Sequence, residues 1–148
     1  MTTSLQFPSQ SREDAKDAKQ ETATKINRVA AVVVDAALEV HRELGPGLLE
    51  SAYCAALKLE LEQRGEGVQR ESEVPCFYKG ASLGISYRMD MVVSGCLVVE
   101  VKAVQELLPI HHAQLLTYLR LSGHRLGLLI NFNASLLKGS VKRVVNQL

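Results

Sequence analysis

No stretch of the 148 residues approaches the length of a membrane-spanning helix. The first residues have neither the apolar core of a signal peptide nor the Arg-rich, acid-poor character of a transit peptide, so the expected compartment is the cytoplasm. Cysteine is scarce. Cys54, Cys76 and Cys96 are odd in number, sit in apolar surroundings and lack metal-ligand spacing, which argues for buried free thiols and against disulfides or a zinc site. Net charge is small, with a formal value of +1 and a pI near 7.7, which argues against a protein that coats nucleic acid through charge alone. A local positive patch is still compatible. Lys138, Lys142 and Arg143 with Arg120, His124 and Arg125 are available for one, and scattered solvated side chains account for them as well. No internal repeat is present.

With 47% hydrophobic and 22% charged residues, the chain suits one globular domain with a sizeable core. Residues 1–24 are polar and without apolar periodicity, so they are expected to form a mobile tail ahead of a single domain over 25–148. Ile26, Val29, Ala30, Val33, Ala37, Val40 and Leu44 fall on one helical stripe, and Gly45-Pro46 ends that helix. A second helix is expected from about Leu48 to Arg64, with Leu49, Tyr53, Ala56, Leu57 and Leu61 apolar. Strands follow at Val68–Tyr78, Leu83–Val93 and Cys96–Val104, the first an edge strand because of Pro75. A helix from Pro109 to Leu121 leads into the apolar run Arg125–Phe132, which reads as a buried strand parallel to the third. Residues Ser135–Val145 are expected to form a last short helix. The result is a three-layer α/β fold with a mixed four-stranded sheet flanked by helices.

The stretch from Arg88 to Lys102 carries the chemistry. Two apolar, β-branched runs separated by Ser94-Gly95 read as a hairpin, with Asp90 in one strand and Glu100 and Lys102 in the other. Side chains alternate along a strand, so Glu100 and Lys102 point the same way, about 6.6 Å apart, while Val99 and Val101 take the buried face. Two carboxylates and an ammonium fit a hard-cation hydrolytic site, and they fit a solvated cross-strand ion pair as well. Upstream, Gly45-Pro46-Gly47 breaks the chain between two helices. Glu50 then falls in the first turn of the second helix, where the dipole favours a negative charge, with Tyr53 on the same face.

Gly47-Leu-Leu-Glu50-Ser-Ala-Tyr53 has the form Gly-x-x-Glu-x-x-Tyr, and the chain resembles the GxxExxY protein family. That family is assigned to the PD-(D/E)XK nuclease-like, or restriction-endonuclease-like, superfamily. The resemblance spans about Ile26 to Val145 and includes Arg88-Met-Asp90, Glu100-Val-Lys102-Ala, Ala113-Gln114-Leu-Leu-Thr-Tyr118-Leu and Leu126-Gly-Leu-Leu-Ile-Asn131-Phe. It implies an αβββαβ core. It also implies that Asp90, Glu100, the Val101 carbonyl and Glu50 hold Mg²⁺ or Mn²⁺, that Lys102 positions the attacking water, and that nucleic acid is the substrate. Met89 stands where the superfamily motif has Pro, a departure that removes no ligand.

Tyr53, Arg88, His111, Gln114 and Tyr118 are the candidate substrate-binding residues. Each has a plainer reading. Arg88 can pair with Asp90, His111 can be a surface residue near a helix start, and Gln114 can be an amide bridging helix to sheet. Adjacent His111 and His112 diverge by about 100° on a helix and do not make a zinc site. The function expected is metal-dependent hydrolysis of phosphodiesters in DNA or RNA. The alternative is an inactive module that keeps the fold and binds nucleic acid or protein. A homodimer is allowed for, and a membrane partner is not expected.

Overall fold

The computed structural model describes residues 8–148; residues 1–7, part of the expected tail, lie outside the described residues. The elements are α1 (Pro8–Leu44), α2 (Glu50–Gln63), β1 (Val68–Tyr78), β2 (Ala81–Val93), β3 (Leu97–Lys102), α3 (Pro109–Ser122), β4 (Leu126–Asn131) and β5 (Val141–Val145). They build one sheet of order β1-β2-β3-β4-β5. Only β3 and β4 are parallel, joined through α3 as a crossover, and the other neighbours are antiparallel.

The sheet has five strands rather than the expected four. Val141–Val145, expected to be helical, pairs with β4 from Leu126↔Val145 to Ile130↔Val141. The reason lies in β4, whose six residues are all buried. An open edge there would leave buried backbone groups without partners, and a segment rich in valine supplies them. Gly139, at φ +88°, helps turn the chain into that strand.

Helix α1 starts well ahead of Ile26, the first residue of its apolar stripe. The segment before Ile26 is rich in Ala, Glu, Lys and Gln, which extend an existing helix at little cost. Thr22 and Thr24 turn their hydroxyls back to the carbonyls of Ala18 and Gln20, each at 2.9 Å. Residues 11–25 are exposed apart from half-buried Ala23, so burial begins at Ile26. Two expected core positions lie outside: Leu44 and Leu49 are exposed.

Two apolar cores sandwich the sheet. Helices α1 and α2 cover one face through Val29, Val33, Ala37, Leu57 and Leu61 against Met91, Val99, Val101 and Ile130. Helix α3 covers the other through Leu115 and Leu119 against Val98 and Leu129, with Leu116 partly buried alongside. Gly127 permits that approach, because a Cβ there would sit 2.9 Å from Leu115 Cδ1. All three cysteines are free, but only Cys54 is buried; Cys76 and Cys96 are partly exposed because they lie in or beside hairpins. Among the described residues no helix is long and apolar enough to cross a membrane.

Candidate active site

Strands β2 and β3 pair through Val93↔Leu97, Val92↔Val98 and Met91↔Val99. Asp90 and Glu100 occupy the next positions, and there the ladder gives way to side-chain bonds. The Asp90 N–H donates to Glu100 Oε1 at 2.9 Å, and the Val101 N–H donates to Asp90 Oδ2 at 2.8 Å. Each carboxylate thus satisfies a main-chain donor on the opposite strand as the two separate. The expected alternation holds, with Val99 and Val101 fully buried in the core under α1 and α2 and Lys102 half-buried.

Glu100 is only 5% exposed. Burial, and then the charge of Asp90, push its carboxyl up to about 8, against the pull of the Asp90 N–H and of Lys102. At neutral pH the pair therefore retains a proton in the metal-free protein. Glu50 begins α2 and is half-buried, and its carboxyl is raised by burial and by Asp90 while Lys102 opposes the rise. Asp90, Glu100, Lys102 and Glu50 are thus one electrostatic cluster. Among the described residues no three acidic, His or Cys side chains are gathered closely enough to hold a metal ion together. Glu50 adjoins the carboxylate pair, within the field of Asp90 and Lys102. The donor chemistry still fits a hard divalent cation: a buried carboxylate beside a half-buried one, whose charge such an ion would neutralise.

The loop before α2 explains how Glu50 is placed. Gly47 adopts φ +101°, a conformation L side chains rarely take, and its N–H donates to Asn133 Oδ1 at 3.1 Å. The Tyr53 hydroxyl donates to the Gly45 carbonyl at 2.5 Å and accepts the Leu48 N–H at 3.1 Å. Its ring stacks on Phe132, with centroids 4.7 Å apart and planes 8° from parallel. His41 Nε2 meets the Ala134 carbonyl at 2.7 Å, tying the end of α1 to the same β4–β5 loop. The Gly-x-x-Glu-x-x-Tyr spacing therefore combines a left-handed turn, a carboxylate and a lock. Tyr53, expected among the substrate-binding residues, points into the protein instead. It is wholly buried and its hydroxyl is spent on the loop.

The other expected contacts divide. Tyr118 is half-buried beside the carboxylates, its phenol raised by burial and then by Glu100, Asp90 and Tyr87. Gln114, one turn earlier, is exposed. His111 turns back on its own helix, Nδ1 accepting the Leu108 N–H at 2.9 Å, so it caps α3 instead of facing the site. Arg88 is exposed and lies opposite Glu73 on β1, away from the pairing with Asp90 considered for it.

Three contributors escaped the sequence. Arg70, half-buried on β1, donates from Nε to the Asp90 carbonyl at 3.2 Å. No spacing signals this, because a register shift between Pro75 and Phe77 sets which β1 residue meets Asp90. Asn131 is buried at the end of β4, opposite Lys102, and binds the Val104 N–H at 3.1 Å and the Val104 carbonyl at 2.9 Å. It fixes the chain just after Lys102, and an amide closing an apolar strand was its available signal. Cys54 adjoins the carboxylates, but burial and then Asp90 push its thiol up to about 12, so it offers no thiolate nucleophile.

A family model described as the PD-(D/E)XK nuclease superfamily matches residues 27–144. No curated protein and no solved structure matches the chain.

Proposed function

The chain belongs to the PD-(D/E)XK nuclease superfamily, and from that membership we propose that it hydrolyses phosphodiester bonds in nucleic acid with the help of a divalent cation. The observation that carries this reading is the Asp90–Glu100 pair: two carboxylates each held by a main-chain N–H of the facing strand, one of them driven to hold a proton by burial and then by its neighbour. Asp90, Glu100 and the Val101 carbonyl are the groups that would hold Mg²⁺ or Mn²⁺. The chemistry an ion held there would supply is neutralisation of charge on the scissile phosphate and acidification of a bound water. Lys102 orients the attacking water, and Glu50 relays the proton that leaves it. The water oxygen would form the new bond to phosphorus as the bond to the leaving sugar oxygen breaks, and that oxygen would take up a proton from solvent to balance the one passed to Glu50. Tyr118 would contribute a phenolic donor beside the pair, and Gln114 and Arg88, both exposed, would meet the phosphate backbone. Gly47, Glu50 and Tyr53 fit the finer assignment to the GxxExxY family.

Purified protein incubated with single- and double-stranded DNA and RNA in Mg²⁺, Mn²⁺ or EDTA tests the reading. Cleavage that requires the cation and vanishes in Asp90→Asn is expected. Inertness toward every substrate, with no cation-induced rise in Tm, would end the proposal.

A second reading is a binding module that keeps the fold without the chemistry. It is favoured by the way both carboxylates already satisfy protein donors, with no three-ligand cluster among the described residues. Nucleic-acid binding unaffected by EDTA, alongside absent cleavage, would select it.

A further inference from the structure

Beyond the two cores, the β1–β2 hairpin continues outward as an arm. Every residue from Phe77 to Arg88 is exposed, and these include Phe77 at 54%, Tyr78 at 62%, Leu83, Ile85 and Tyr87. Monomeric surfaces seldom leave so many large apolar side chains together in water without a use for them. Charge along the arm has one sign. Between Glu73 and Asp90 the sequence carries Lys79 and Arg88 and no acid. Lys79 Nζ lies 5.5 Å above the Tyr78 ring, so a cation and an aromatic face are presented side by side.

The arm is also continuous with the carboxylate site. The Tyr87 ring lies 5.8 Å from that of Tyr118 on α3, and the Tyr118 phenol is within the field of Glu100 and Asp90. Tyr87 and Tyr118 thus join the base of the arm to the catalytic pair, while Phe77 and Tyr78, neighbours on a strand, present a ring on each face nearer the tip. Stacked bases of a duplex present no face to such rings, whereas unpaired bases do, and the flanking cations suit the phosphates between them.

We propose that the distal β1–β2 hairpin is a single-strand-binding arm, in which Phe77 and Tyr78 stack on unpaired bases while Lys79 and Arg88 meet the phosphates. The substrate of the carboxylate site is then nucleic acid with a single-stranded stretch next to the scissile bond. This second statement rests on the phosphodiesterase reading.

Fluorescence anisotropy of labelled 20-nucleotide oligothymidine and of a matched duplex separates the possibilities, with Asp90→Asn as the background so that nothing is cut. Adding Phe77→Ala and Tyr78→Ala should weaken single-strand binding by at least about tenfold and leave duplex binding unchanged. Lys79→Glu should weaken it too and flatten its salt dependence. Both side chains are exposed, so an unchanged Tm confirms that the arm variants fold. Unchanged single-strand affinity would overturn the arm, as would light scattering that shows the arm variants converting a dimer to a monomer. Arm-dependent binding by a wild type that cleaves nothing would sink the phosphodiesterase reading and leave the arm standing. Cleavage with arm-independent binding would do the reverse.

Discussion

Asp90 gives its main-chain N–H to the carboxylate of Glu100, and its own carboxylate takes the N–H of the residue after Glu100. The two strands therefore part at a point where every donor is satisfied by an acid. Such a junction is electrostatically costly without a cation, since Glu100 is drawn out of water beside a second acid. Its energetics make the site testable before any substrate is known.

Stability of the metal-free protein should fall as pH rises. Glu100, raised to about 8 from an ordinary 4.5, keeps its proton in the native state where the unfolded chain has released it. Stability is then lost across the interval from about 4.5 to about 8. Glu50 is shifted in the same direction, whereas Glu66 is held low by the Ser94 hydroxyl and Arg28, so its contribution is lost at the acid end instead. Thermal unfolding in EDTA from pH 5 to 8.5 should show the decline, and Mg²⁺ or Mn²⁺ should flatten it. A Tm that rises through this range would count against the raised Glu100.

Glu100→Gln should raise the metal-free Tm at pH 8 while removing cleavage and the cation-induced Tm shift. The amide oxygen can still accept the Asp90 N–H, and the like-charge repulsion is gone. A Tm drop of several degrees would contradict it.

Lys102→Ala and Asp90→Asn should both abolish cleavage and differ in cation response. Removing the ammonium leaves the oxygen ligands and takes away a neighbouring positive charge, so the cation-induced Tm shift should persist or grow. Asp90→Asn loses an anionic ligand, and the shift should shrink. Equal responses in the two variants would undo the assignment of roles.

Tyr53→Phe should cost about 1–2 kcal/mol, because it strips partners from the Gly45 carbonyl and the Leu48 N–H. Activity should fall with it through displacement of Glu50, while substrate KM changes little, since Tyr53 is buried. Denaturant unfolding and steady-state kinetics check both halves.

Removing residues 1–24 should leave Tm and activity nearly unchanged, because the described part of that segment buries almost nothing. The helical far-ultraviolet signal should drop. A large loss of Tm would show that the segment docks.

How much of this could be read from the sequence depended on where each signal was encoded. Periodicity and punctuation are local, so α2, β1, β3, α3 and β4 lie within a few residues of their expected bounds. Strand alternation placed Glu100 and Lys102 correctly for the same reason. The final strand is legible only once the open edge of β4 is known, because five residues, even with three valines, carry too short a pattern to set strand against helix. Arg70 required the register shift in its hairpin, and Tyr53 required knowing that Gly45 and Leu48 fold back over the start of α2. His111 reads as a substrate contact because a capping imidazole and a phosphate-binding one share a spelling.

The exposed extension of α1 also governs how the molecule tumbles. At about 1.5 Å per residue, the part ahead of Ile26 is a rod about 27 Å long on a compact body. Friction scales with the swept dimension, so a monomer will elute early in gel filtration and relax slowly in solution for its 16.2 kDa mass. Sedimentation will report a raised frictional ratio that the shortened chain loses.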